Sequence, residues 1–202
     1  MSTTYDALTA KIKSWCKRTD SQTISAIPDF IDAAQTALNS ELRIGDMIAS
    51  VSFNTDSTSV DISEFLEASS VTIGGLVGAS TTFAEITALR LLVDQRPETK
   101  GYDFHYAING NSIELVKPNA VIVTGYQKPT PISSANQTNS YTDSAANALI
   151  WLCLHYCAAF CKDSNAAQSW FSLAESEIAH LNNARDKFVK TGTAEVRRRG
   201  YF

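Results

Sequence analysis

The chain has 202 residues, 44% of them hydrophobic and 19% charged, with a formal net charge of −4. That length serves one ordinary domain with its own core, or a domain with an arm, and the apolar content excludes wholesale disorder. A uniformly basic nucleic-acid binder is excluded too, but the charge is uneven: Arg185 to Phe202 hold six basic and two acidic residues, +4, leaving −8 on the first 184.

The N-terminus has no apolar run behind a basic start, so no secretory signal is expected. Tyr5, Leu8, Ile12 and Trp15 recur at helical spacing and predict an amphipathic helix over residues 4–16, with Thr3 or Thr4 as N-cap. A polar connection, Arg18 to Ser21, leads to a second helix. There Pro28 and Asp29 suit the first turn, and Phe30, Ala34, Ala37, Leu38 and Leu42 form the inner face to about Arg43.

Gly45 ends that pattern and strand character follows. Ile48–Asn54 alternates, Val60–Ile62 repeats the alternation, and Val71–Ile73 is a short strand stopped by Gly74-Gly75. Thr82 to Glu85 is a capping box for a short helix to Leu91 or Leu92. Tyr106–Ile108 and Ile113–Val116 flank Asn109-Gly110-Asn111 as a hairpin, and Val121–Tyr126 adds a further strand. A Pro-, Ser- and Asn-rich loop then leads to two long helices, one from about Asp143 to Lys162, the other from Ser164 with Trp170, Ala174, Ile178, Leu181 and Phe188 on one stripe. Residues 148–161 are apolar except for His155. They make roughly 21 Å of helix, too short for a bilayer, and read as a helix buried on nearly every side.

This order predicts an α+β fold. A helical domain is made by the N- and C-terminal helices, with a small antiparallel β insertion and an extended C-terminal arm. The expected divisions are N-terminal core helices at 1–44, a β-rich middle with a short helix at 45–128, a linker at 129–142, the long helical pair at 143–188 and a basic arm at 189–202.

Catalytic motifs are absent from the sequence. There is no phosphate-binding loop, no GxSxG and no HExxH, and the three histidines are isolated. Cys153, Cys157 and Cys161 drift about 80° around one helix, poorly placed to converge on an ion, and read as small buried hydrophobes beside the separate Cys16. Glu64 with Glu67 and Glu175 with Glu177 read as solvated faces. No cofactor, metal or catalytic residue is expected. Trp15, Trp151 and Trp170 sit on apolar stripes and are expected, with Phe30 and Tyr156, to pack in the core or between subunits. Arg197, Arg198 and Arg199 followed by Tyr201 and Phe202 form a basic arm whose terminal aromatics need something to bury them. From Val189 it can reach at most roughly 45–50 Å.

Several segments together resemble the head-to-tail adaptor, or connector, proteins of tailed bacteriophages. They are Trp15-Cys16-Lys17-Arg18-Thr19-Asp20, Ile27-Pro28-Asp29-Phe30-Ile31 on to Leu42-Arg43, Tyr106 to Pro118 around Gly110, Val123 to Ser133, and Leu149 through Tyr156, Ala159 and Asp163 to Trp170. Ile62-Ser63-Glu64-Phe65-Leu66 departs from the family's usual step in lacking its proline and aspartate, and Pro118 stands alone where a Pro-x-Pro is common.

The resemblance implies a non-enzymatic structural protein of the virion, made in the host cytoplasm. It would form a homo-oligomeric ring of twelve copies that docks on the portal, meets a tail or nozzle protein below, and passes DNA through its lumen without specific binding and without a membrane. In that setting the arginine run would pair with acidic portal groups, and Tyr201 and Phe202 would anchor in an apolar pocket. The alternatives are a nucleic-acid-binding module using the basic tail, or a small hydrolase.

Overall fold

A computed structural model describes residues 3–54, 56–95 and 101–191, with side chains to 185. In chain order the elements are α1 (Tyr5–Cys16), α2 (Ser21–Ser25), α3 (Ile27–Glu41), β1 (Ile48–Asn54), β2 (Ser59–Asp61), β3 (Phe65–Ile73), β4 (Leu76–Val77), β5 (Ala79–Ser80), α4 (Phe83–Gln95), β6 (His105–Asn109), β7 (Ser112–Leu115), β8 (Ala120–Gln127), α5 (Ser140–Ser144), α6 (Ala146–Phe160) and α7 (Ser164–Thr191). The fold is α+β. It divides into two compact units, residues 1–46 with 129–202, and residues 47–128.

The first unit is helical. The Thr4 hydroxyl accepts a hydrogen bond from the Ala7 N–H at 3.2 Å and starts α1, which turns fully buried Leu8 and Ile12 inward. Lys17, left-handed at φ 50°, ends it. Where the expected connection of Arg18 to Ser21 ends, residues Ser21–Ser25 form a short helix of their own, α2. Asp20 caps it by accepting from the Thr23 N–H at 2.8 Å, and the bonds from Thr23 hold the Asp20 carboxyl below its ordinary value. Helix α3 buries Ile27, Phe30, Ile31, Ala34 and Leu38.

The helix expected from Asp143 is two. Asn139 and Thr142 form a capping box over the five-residue α5, Ala145 at φ −134° and ψ 28° leaves helical geometry, and α6 starts afresh. Helix α6 is buried along most of its length, but Ala159 and Phe160 at its C-terminal end are exposed. Lys162, left-handed at φ 59°, turns the chain into α7. There Asp163 is the cap, accepting from the Ala166 N–H at 3.0 Å.

The second unit is a pair of four-stranded sheets, ordered β1-β8-β3-β4 and β2-β7-β6-β5. All pairs are antiparallel except the two-residue β5–β6 pair. Both hairpin turns are two-residue loops. Gly74 and Gly75 stand at φ 56° and 83°, and Gly110 at 59°, conformations that side chains with a Cβ resist. Val60, Ile62, Phe65, Val71, Ile73, Ile113, Leu115, Val121 and Val123 form one core drawn from both sheets. The strand expected at 71–73 extends back to Phe65, because bulges after Phe65 and Ala68 interrupt the alternation that marks a strand in sequence.

At this bulged pairing Gly125 of β8 lies so close to β3 that a Cβ would sit 2.1 Å from the Glu67 carbonyl oxygen. Gly125→Ala is therefore expected to cost about 1–3 kcal/mol through backbone displacement, read as a lower denaturation midpoint with an unchanged slope.

Helix α4 covers the outer face of the second sheet, placing Ile86, Leu89 and Val93 on Ala107 and Val116. From it Arg90 donates to the Leu115 carbonyl at 2.8 Å, the Thr58 carbonyl at 3.0 Å and Glu114 Oε2 at 2.9 Å. The Arg90 bond, helped by the Ser59 and Ser112 hydroxyls, holds the Glu114 carboxyl below its ordinary 4.5. A carboxylate depressed by folding stabilises above its unfolded pKa, and that stability is lost as pH falls through the folded value. Arg90→Met should cost about 1–3 kcal/mol at neutral pH. It should also flatten the acid side of the stability profile below pH 4.5, measured by thermal unfolding across pH.

Candidate functional site

The polar anchors of the helical unit come from positions that sequence patterning passes over. Gln35, on the buried face of α3, accepts from the Ile132 N–H at 2.9 Å and from Asn139 Nδ2 at 3.2 Å, so it holds the 129–139 loop at both ends. Tyr141 is buried and donates its hydroxyl to Asn39 Oδ1 at 2.7 Å; burial raises its phenol well above 10.0. On α7, Asn182 accepts from the Arg43 N–H at 3.1 Å and donates to the Glu41 carbonyl at 2.9 Å. One side-chain amide thus satisfies a donor and an acceptor where α3 ends. Asparagine after an apolar stripe reads as a solvated helix position, so only the fold exposes this role.

The predicted packing residues gather around α6. Trp15 of α1 stacks on Trp170 of α7 with ring centroids 6.1 Å apart and planes at 27°. Of the two positions expected of Trp15, in the core or between subunits, it does not take the first within the chain. It is 45% exposed, with Lys11 Nζ 5.8 Å from its ring, while Trp170 and Trp151 are half-buried. The apolar stripe on α1 is narrower than its spacing suggests: Leu8 and Ile12 fill the seam with α6, and Trp15, nearly a turn further on, reaches its edge. Phe30 is buried at 7% exposure and meets Phe160, 43% exposed, at 5.5 Å. Tyr156 is half-buried against His155 at 5.0 Å. His155 Nδ1 lies 2.9 Å from the Ala167 carbonyl, so it carries the proton and donates across the α6–α7 turn.

Beneath the tryptophan pair is a small pocket of about 120 Å³, lined by Trp15, Cys16, Arg18, Cys157, Cys161 and Trp170 among others. Burial, and then the neighbouring Cys16 and Cys161 thiols, push the Cys157 thiol up to about 12, and burial raises Cys153 further. Thiols so placed stay protonated at neutral pH and are poor nucleophiles and poor metal ligands. Among the described residues no group of three or more His, Cys, Asp or Glu side chains could hold a metal ion, and no helix is long and apolar enough to cross a membrane. The arm residues Arg197, Arg198, Arg199, Tyr201 and Phe202 lie outside the described residues, as does the side chain of Phe188.

The chain thus joins a helical unit fastened by side-chain amides to a two-sheet unit inserted in its sequence. The model of the SU10 adaptor protein family matches residues 3–199, and the chain belongs to that family. No curated protein matches it.

Gln35→Leu removes both acceptor contacts while keeping most of the side-chain volume. It leaves the Ile132 N–H buried and unpaired, and should cost about 1–3 kcal/mol. Hydrogen exchange should localise the effect to a faster Ile132 amide and a looser 129–139 segment.

Proposed function

We propose that this adaptor works at the head–tail junction of the virion. In this reading twelve copies form a ring that docks on the portal, receives tail or nozzle proteins on its other side, and lets DNA pass through its lumen. The single observation that carries the reading is the family match over residues 3–199. Charge supports it from another direction. A body at −8 repels passing phosphates, so DNA would slide without being gripped. The +4 segment from Arg185 supplies what an acidic protein partner would bind.

The arm is the proposed portal contact. Arg197, Arg198 and Arg199 pair with acidic groups there, and Tyr201 and Phe202 enter an apolar pocket. Trp15, Phe30, Trp151, Tyr156 and Trp170 pack the helical unit, and the exposed face of Trp15 is available to a neighbouring subunit. The proposed division of labour follows the chain: residues 1–44 and 143–188 build the helical frame, 45–128 the β-rich part, 129–142 the link and 189–202 the arm.

The test is the mass of the purified chain alone and mixed with its portal, by native mass spectrometry or mass photometry. A ring-sized complex with portal is expected, and a chain that stays monomeric in both mixtures overturns the proposal. Deleting residues 190–202 should reduce portal attachment by at least about tenfold, and Arg197→Ala with Arg198→Ala and Arg199→Ala should reproduce much of that loss in a salt-sensitive way. If the deletion instead abolished DNA binding and left portal attachment intact, the basic tail would be a nucleic-acid module.

A further inference from the structure

The β-rich unit leaves one sheet edge open in an unusual form. Strand β1 pairs with β8 over seven consecutive residues without a bulge, and among the described residues nothing pairs with its outer edge. Its sequence, Ile48-Ala49-Ser50-Val51-Ser52-Phe53-Asn54, holds no charge and no proline. Proteins ordinarily blunt a long edge strand with lysine, proline, a bulge or brevity, and β1 has none of these. Burial is also incomplete there: Val51 and Phe53 pack on the shared core but are only partly covered, and Ile48 is 51% exposed.

The edge of the other sheet is β2, and a groove of about 550 Å³ runs between β1 and β2. Ser52, Phe53 and Asn54 line one side, and Ser59, Val60, Asp61, Ser63 and Glu64 the other. The charge in it is negative. From Ile48 to Phe65 the chain carries Asp56, Asp61 and Glu64 and no lysine or arginine. Arg90, which reaches the Thr58 carbonyl, is matched by Glu114. Among the described residues Asp61 accepts within its own turn, from the Ser63 N–H and hydroxyl, and Glu64 accepts from the Gln127 side-chain amide at 3.2 Å. None of these contacts pairs either acid with a cation.

We infer that this groove accepts an extended, basic segment of a protein partner as an added strand on β1. The free N–H and C=O groups of β1 supply backbone pairing, as in other strand-addition sites. Apolar side chains on alternate residues of the incoming strand complete the burial of Val51 and Phe53, and lysine or arginine meets Asp61 and Glu64. This site lies in the β-rich unit, apart in sequence from the arm proposed to meet the portal.

The full-length chain tests it with three short labelled peptides. One alternates lysine with valine, the second replaces lysine by glutamate, and the third is the lysine peptide N-methylated on alternate residues so that it cannot pair along its backbone. Fluorescence anisotropy should show saturable binding of the lysine peptide. The glutamate and N-methylated versions should bind at least about tenfold more weakly. At saturation the β1 amides that do not bond β8 should exchange at least about tenfold more slowly, with the amides of the helical unit unchanged. Asp61→Asn with Glu64→Gln, which remove the charges but keep acceptor oxygens, should weaken binding of the lysine peptide while keeping the melting temperature.

Three results overturn the inference. One is β1 exchange that the peptide does not change. A second is equal binding of the N-methylated peptide, which would reduce the contact to charge attraction. The third is β1 protection in the peptide-free chain, whether it rises with concentration, marking a second copy on the edge, or is lost on deleting residues 192–202, marking the chain's own basic segment there.

Discussion

Helix α6 is apolar on almost all of its circumference, and the helical unit is arranged around the need to bury it. Leu149, Ile150, Leu152, Cys153, Leu154 and Cys157 are all buried, and α6 packs against α1, α3, α5 and α7. No single neighbour could cover such a surface, because a helix–helix contact hides only one stripe. The N-terminal helices must therefore return to meet the C-terminal ones, although 82 residues of β-rich chain lie between them. The polar fasteners follow from the same constraint. Gln35, Asn39, Tyr141 and Asn182 bond segments about 100 or more residues apart in sequence, where apolar packing alone would leave the register of neighbouring helices loose.

Much of this could be read from the residues, and the reasons are local. The Thr82–Glu85 capping box, the Thr4 cap, Pro28 in the first turn of α3 and the Gly110 hairpin are each short-range devices. The structure carries them where the sequence puts them. The α+β arrangement follows from their order. What escaped was of two kinds. Short elements bounded by single polar side chains were invisible to periodicity: α2, begun by Asp20, and the break at Ala145 that separates α5 from α6. Strand β3 was foreshortened because its bulges shift the alternation by which strands are recognised.

The second kind was side chains whose importance lies in distant partners. Arg90, Gln35 and Asn182 belong to helical faces that composition describes as ordinary polar surface. Only the fold brings a carbonyl of Leu115, an N–H of Ile132 or the end of α3 within reach. Trp15 shows the converse. Its spacing is that of a core residue, yet Leu8 and Ile12 are fully buried while the indole stays at the margin, leaning on Trp170. Periodicity reports which side of a helix faces inward, and it does not report how fully each position on that side is covered.

Asn182 has a mechanical consequence. Helix α7 is about 42 Å long at 1.5 Å per residue, and residues 192–202 follow its last turn. Any pull on those residues runs down the helix axis and meets Asn182 before it meets the Trp170 stack near the other end. The asparagine's side-chain amide grips the main chain of Glu41 and Arg43, so the load passes through that amide into the end of α3, where the two bonds share it. Tension applied at the C-terminus would thus be carried into the N-terminal helices before it strained the turn between α6 and α7.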